Sequence, residues 1–246
     1  MRVPEPLSIT HDDELYETIM SRMRAKLGVG TIREGTHVSD LIYCVLKGWG
    51  KKQLSYLPTS PLDSEEDDQV LVWVVGRSHE DIFGAGMIKG QPIVKDGIVG
   101  TIDWLEDAEI SAEPTVVEAK STRLSSAKWL DEMPHYIAQG AAYCCMHETT
   151  GCKVLVFHIN GDYAHQTKDG KKKKLPPRAH LRTYDVQFSE EELAEWWDEM
   201  TKRKGIIEGE DKPLIEDWPD LIPVFEFECG YCQIGGLVNC PKWKEG

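Results

Sequence analysis

Glu118 and Lys120 stand two residues apart in the run PTVVEAKST, and Asp103 closes the preceding run GIVGTID. In a strand, residues two apart project from one face, so this carboxylate and this ammonium share a side. If the two runs are neighbouring strands, Asp103 and Glu118 converge on one hard cation. Two carboxylates, a backbone carbonyl and waters suit Mg²⁺ or Mn²⁺; the carbonyl of Ala119 is the natural third protein ligand. Such an ion polarises a phosphate oxygen and lowers the pKa of bound water, and a lysine beside it orients that water or helps deprotonate it. Those are the parts that phosphodiester hydrolysis requires. An E-x-K alone is weak, because a carboxylate and a lysine at this spacing usually form a solvated face with a marginal ion pair.

Two further features add weight. Gln139 and Tyr143 lie four apart in a helical run and share one helical face, which can turn toward the site and contact a DNA strand or its phosphates. His79 precedes Asp103 in a polar stretch read as a loop, where it can ligate the metal or meet phosphate.

The seven cysteines form a second constellation. Cys229 and Cys232 make a C-x2-C pair, and Cys240 follows it. A single ribbon can bring these three thiolates to one centre, and Cys44 is the best fourth ligand. Four Cys hold an iron–sulfur cluster, and a structural Zn²⁺ accepts the same four. Zinc ribbons usually offer two C-x2-C knuckles, however, whereas here one partner is a lone upstream Cys. Cys144, Cys145 and Cys152 fall outside the pattern and read as small buried hydrophobes. An odd number of Cys argues against a disulfide framework.

The elements that must position these residues can be read from patterning. Leu15, Ile19, Met23 and Leu27 recur every four residues and predict a first helix that Gly28 stops. Ser39 is read as the N-cap of a second, carrying Cys44. The segment 53–69 reads as a loop or the approach to a helix, and QVLVWVVG, which periodicity alone does not separate from a buried strand, is read as a helix. The run from 86 to 107 reads as a β-meander turning at Asp96–Gly97. A helix is expected over about 128–147, then a buried strand KVLVFH ended by Asn160–Gly161 and an edge strand HLRTYDVQF. Ser189 with Glu192 three residues on predicts a capped final helix.

The 246 residues are 41% apolar and 28% charged, an ordinary globular composition that excludes wholesale disorder and coiled coil. No run approaches the ~20 apolar residues of a membrane span, and no signal-like apolar stretch is visible near the start, so a cytoplasmic location is expected. The net charge of −14 argues against bulk-charge nucleic-acid binding. Basic surface is local: Lys47, Lys51 and Lys52 with Trp49 among them, and Lys171 to Lys174 with Arg178 and Arg182. Either patch can track a phosphate backbone, with Trp49 stacking on a base. Trp196 and Trp197 read as packing residues.

The order His79, G-x-x-D (Gly100 to Asp103), E-x-K (Glu118 to Lys120) and Q-x-x-x-Y (Gln139 to Tyr143), with one Cys before and three after, resembles the RecB-like branch of the PD-(D/E)XK nuclease superfamily. Within it, the chain is most similar to the CRISPR-associated iron–sulfur exonucleases or their viral relatives. The resemblance implies an α/β fold with a central mixed sheet flanked by helices. It implies a single domain: an N-terminal helical part (1–75), a nuclease core (76–190) and a C-terminal helix with a Cys-rich tail (191–246). It further implies a structural 4Fe–4S cluster on Cys44, Cys229, Cys232 and Cys240, tying the two chain ends together. The implied activity is a Mg²⁺- or Mn²⁺-dependent exonuclease on single-stranded DNA or DNA ends, leaving 3′-hydroxyl and 5′-phosphate products. Asp103 and Glu118 would bind the metal, Lys120 would position water, and His79, Gln139 and Tyr143 would assist. Implied partners are DNA and the CRISPR integration or recombination machinery. The competing expectations are a non-catalytic DNA-end or motif-binding subunit and, less favoured, an iron–sulfur redox carrier.

Overall fold

A computed structural model describes residues 13–27, 34–54, 67–84, 87–106, 115–122, 128–159, 179–213 and 240. Its first part holds α1 (Asp13–Leu27), β1 (Thr36–His37), α2 (Val38–Ile42), α3 (Val45–Leu54) and α4 (Asp67–Phe83). Five strands follow: β2 (Ile88–Lys89), β3 (Ile93–Lys95), β4 (Ile98–Gly100), β5 (Trp104–Glu106) and β6 (Thr115–Thr122). The rest is α5 (Pro134–His147), β7 (Gly151–His158), β8 (His180–Gln187) and α6 (Glu190–Glu208).

The apolar runs of β6 and β7 pair in parallel at the heart of a five-stranded sheet of order β2-β5-β6-β7-β8. Parallel strands need both faces covered, and here they are. On one face Val116, Val154 and Val156 pack under Ala142 and Tyr143 of α5, within a core that also takes in α2 and α6. On the other, Val117, Ala119 and Leu155 join Trp104, with Phe83 at the end of α4 and Met87 packed against them. The fold is thus mixed α/β, with two mixed sheets flanked by helices. Gly140 lets α5 lie close on β7, since a Cβ there would sit 2.8 Å from the Cys152 sulfur.

The meander is split. β3 and β4 form the hairpin expected at Asp96–Gly97, both residues at positive φ (49° and 74°), but belong with β1 to a separate three-stranded sheet of order β1-β4-β3. β2 and β5 pair in the larger sheet. The final helix is capped as predicted, the Ser189 hydroxyl accepting from the Glu192 N–H at 3.1 Å and the Glu192 carboxylate accepting from the Ser189 N–H at 2.9 Å. β8 is the predicted edge strand.

Three expectations need correction. α2 is capped at His37, not Ser39, because Asp40 accepts the His37 N–H at 3.0 Å. Cys44 is not on that helix but in the break between α2 and α3. The helix over 128–147 begins at Pro134, after a 3-10 turn at Leu130–Glu132; a Pro at the first helical position gives up an N–H that has no intrahelical partner there. The break at Cys44 is fastened from afar: the buried Arg203 of α6 donates to the Leu41 and Tyr43 carbonyls. Trp49 is likewise engaged, its indole N–H donating to the Gly209 carbonyl at 3.1 Å, so it acts as a brace between α3 and the end of α6. Trp197 donates to Asp96 Oδ2 at 2.8 Å and packs, with Trp196, against the core. Asn160–Gly161, Lys171 to Lys174, Arg178, Cys229 and Cys232 lie outside the described residues.

Candidate active site

β6 presents Glu118 and Lys120 on the face covered by α5, as the two-residue spacing requires. Glu118 is 1% exposed, and its Oε1 accepts from the Lys120 ammonium. Its Oε2 is buried without a hydrogen-bond partner among the described residues. An orphaned carboxylate oxygen is costly to bury unless a cation meets it.

Asp103 is not the end of a strand. It stands between β4 and β5, one residue before Trp104. The β5–β6 pairing stops at Trp104 and Val117. Beyond it the Asp103 side chain replaces the missing strand: Oδ2 accepts the Ala119 N–H at 2.7 Å. This bond sets the Asp103 carboxylate beside the Glu118–Lys120 pair. Ile102 and Trp104 are both buried and anchor it from either side. The Gly90 N–H donates to the Asp103 carbonyl at 3.1 Å, and a Cβ on Gly90 would lie 2.1 Å from the Ile102 carbonyl oxygen. Only glycine permits that approach.

α5 supplies Gln139 and Tyr143, both buried, with the Gln139 side-chain amide donating to the Tyr143 hydroxyl at 3.0 Å. Gly100 is explained in the same place: a Cβ there would fall 2.3 Å from the Met146 sulfur and 3.2 Å from the Tyr143 ring. The glycine of G-x-x-D thus lets α5 bring Tyr143 against β4.

The electrostatics knit these groups together. Burial pushes the Glu118 carboxyl up to about 8, with Lys120 offsetting part and Asp103 adding to the rise. Lys120 is held above the ordinary lysine range: burial lowers it, but the Glu118 and Asp103 carboxylates more than reverse that. Burial and then Glu118 raise the Tyr143 hydroxyl. The site therefore keeps its lysine charged, while burial makes the Glu118 carboxyl hold its proton up to about pH 8 unless a further cation stands beside it.

His79 lies within α4, not in a loop. Its ring is edge-on to Phe157, 4.3 Å between centroids, and stacked with Phe83 at 5.8 Å. Its Nδ1 is 3.3 Å from the Ser121 hydroxyl, and Ser121 projects from the face of β6 opposite Glu118 and Lys120, so His79 is not brought together with them. The neighbour Glu80 was missed by sequence reasoning. Burial, and next the Asp103 charge, raise its carboxyl, and it also feels Lys120. It is one of four acidic residues within α4, beside Asp67, Asp68 and Asp81, so nothing in the local sequence distinguishes it.

Among the described residues, no three His, Cys, Asp or Glu side chains cluster closely enough to hold a metal ion alone. The donor set still fits a hard divalent cation. It offers the buried orphan oxygen of Glu118 and the second oxygen of Asp103, and Mg²⁺-type ions keep several waters of their own. For the thiolate set, Cys44 and Cys240 are half-buried, and the C-x2-C pair lies outside the described residues. Cys144, Cys145 and Cys152 are buried, as small hydrophobes are.

No protein-family model matches the sequence, and no curated protein matches it. Among solved structures the chain is similar to the one described as the crystal structure of SSO0001, with a TM-score of 0.54 at 15% identity over 92% of this chain and 96% of that one. At that identity the likeness shows a shared fold. A phage-related exonuclease from Haemophilus somnus 129PT also matches, at a TM-score of 0.36 and 9% identity over 80% of this chain and 81% of that one, too remote to inform the site. Among the described residues no helix is long and apolar enough to cross a membrane.

Proposed function

We propose that the protein is a metal-dependent DNA nuclease, an exonuclease on single-stranded DNA or DNA ends. One observation carries the reading: a buried carboxyl, Glu118, shares its face of β6 with a charged lysine, while its second oxygen has no partner among the described residues and the Asp103 carboxylate is fixed beside it by the Ala119 N–H. A structural ion pair needs no orphan oxygen; a cation site does.

Asp103, Glu118 and the Ala119 carbonyl would hold Mg²⁺ or Mn²⁺, with His79 outside this set on the opposite face of β6. The ion would polarise the scissile phosphate and acidify a bound water. The protein's own groups do the rest. Lys120, kept protonated by its two carboxylates, orients the attacking water as a hydrogen-bond donor and stabilises charge gathering on the phosphate oxygens. Because it is charged, it does not serve as the general base. Tyr143, kept neutral and held by Gln139, donates toward the substrate strand. The sheet, closed over by α5, shields Glu118 from bulk water while Lys120 stays partly exposed, and that shielding strengthens each of these interactions. A 4Fe–4S cluster on Cys44, Cys229, Cys232 and Cys240 would tie the α2–α3 break to the tail. DNA is the substrate, within CRISPR adaptation or phage or recombination DNA processing.

The test is degradation of end-labelled single-stranded DNA in Mn²⁺ and in EDTA, with mapping of the product ends. The expected outcome is Mn²⁺-dependent cleavage leaving 5′-phosphates, abolished by Lys120→Ala in a folded protein. Full activity in that variant would refute the mechanism.

A further inference from the structure

One exposed aromatic group has no part in the cluster just described. Trp129 is 60% exposed, yet its backbone is fixed: its N–H donates to Glu132 Oε2 at 2.9 Å, closing the short turn that leads into α5. The Arg182 guanidinium lies over its ring, 4.8 Å from the centroid. Tyr184 stands nearly edge-on to the ring, the centroids 6.3 Å apart and the planes at 68°. A solitary exposed indole is ordinary surface. An indole held open, backed by a cation and buttressed by a second ring is a preformed aromatic shelf.

Strand register fixes where the shelf faces. Arg182 pairs with Val156, which pairs with Lys120; Tyr184 pairs with Val154, which pairs with Glu118. Residues in register across a sheet project from one face. Arg182 and Tyr184 therefore rise from the face that carries Lys120 and Glu118, two strand spacings or ~10 Å away. That is a distance of a few nucleotides along a strand. Among the described residues β8 is the edge of the sheet, and the Trp129 ring packed beside it is exposed.

The chemistry selects the occupant. An open indole face stacks on any unpaired base. A guanidinium beside it offers forked donors to the adjoining phosphate. In a duplex the base faces are already stacked, so the shelf discriminates for single strands. With a net charge of −14, the protein cannot hold a polyanion by bulk attraction and needs such local anchors. We propose that Trp129, Arg182 and Tyr184 form a base-stacking platform that guides single-stranded DNA to the Glu118–Lys120 cluster. The proposal rests on the nuclease reading for the identity of DNA as the ligand.

The test is anisotropy binding of a labelled oligothymidylate, and of a duplex of equal length, in EDTA so that no cleavage intervenes. Trp129→Ala should weaken single-strand binding roughly 10-fold or more, and duplex binding much less. Trp129→Phe should recover most of the loss. Arg182→Gln should lower the slope of log K against log salt by about 0.7, the value for one phosphate contact on a single strand. Thermal melts confirm that each variant is folded. Unchanged single-strand affinity in Trp129→Ala, absence of recovery in Trp129→Phe, or no single-strand binding by wild type overturns the platform. The two readings fail separately. A protein that binds as expected but never cuts DNA loses the nuclease reading and keeps the platform. One that cuts, with Trp129→Ala binding and cutting equally well, loses the platform alone.

Discussion

Gly90→Ala is the sharpest test of how the site is assembled, because it touches no proposed reacting group. A Cβ at this position would lie 2.1 Å from the Ile102 carbonyl oxygen and 2.5 Å from the Ile102 side chain. The nearest tolerable approach is about 3.0 Å, so the segment bearing Ile102 and Asp103 must retreat by roughly 0.9 Å. The obstacle is backbone, flanked by the buried side chains of Ile102 and Trp104, and cannot swing aside as a flexible chain end would. The Gly90 N–H bond to the Asp103 carbonyl stretches with it. Overpacking of this kind costs about 1–3 kcal/mol, or roughly 2–12 °C in Tm for a chain of this size. Activity should suffer more. Displacing Asp103 by about 1 Å loosens its bond to the Ala119 N–H and its alignment with Glu118, and such misplacement costs on the order of 10²-fold in rate. Gly205→Ala, in α6 with nothing within 4 Å of the added carbon, is the matched control and should gain about 0.5–1 kcal/mol. The assays are a thermal melt and the rate of Mn²⁺-dependent DNA degradation. Wild-type rate and Tm in Gly90→Ala would refute the claim that the Gly90 contact sets the Asp103 carboxylate.

Other perturbations have equally definite outcomes. Burial, and then Lys120, lower the His135 imidazole to about 4. The unfolded chain takes up this proton near pH 6.5 and the native protein only near 4, so acidification through that window favours unfolding. The loss should be about 2 kcal/mol between pH 7 and pH 5, and urea titrations at the two values should show a drop smaller by that amount in His135→Gln. Arg203→Met removes two charge-assisted hydrogen bonds to the Leu41 and Tyr43 carbonyls; a loss of roughly 3–5 kcal/mol is expected by denaturant titration, and a change under 1 kcal/mol would contradict the role given to this arginine. Glu80→Gln removes a carboxylate coupled to Asp103 and Lys120, and should alter the Mn²⁺ concentration needed for half-maximal rate while the melt stays within about 1 kcal/mol of wild type. Cys240→Ser should lose bound iron and sulfide on anaerobic purification; full retention would remove Cys240 from the ligand set.

Local chemistry was the legible part of this chain. The Ser189–Glu192 cap, the Asp96–Gly97 turn and the shared face of Glu118 and Lys120 each depend on residues within four positions of one another, and each appears as read. What sequence could not show depends on long-range packing. Asp103 reads as a strand end, because nothing local reveals that its carboxylate takes over from a strand by binding the Ala119 N–H. His79 and Glu80 are adjacent, and only the packing of α4 decides that one joins Phe83, Phe157 and Ser121 while the other couples to Asp103. The meander reads as one sheet, but its strands divide between two. Trp129 and Arg182 meet across 53 residues of sequence. Nothing in the sequence near Gly90 reveals the Ile102 carbonyl packed against it.

The central claim is that the buried Glu118 carboxylate, with Asp103 beside it and Lys120 charged, is a metal-dependent hydrolytic centre. Single-turnover degradation of end-labelled single-stranded DNA by anaerobically purified protein tests this most directly, run in Mn²⁺ and in EDTA beside Glu118→Gln. The account predicts cleavage that requires Mn²⁺ and falls at least 10²-fold in the variant, whose near-isosteric amide preserves the packing of β6. Cleavage that persists in EDTA, or in Glu118→Gln at the wild-type rate, would contradict it.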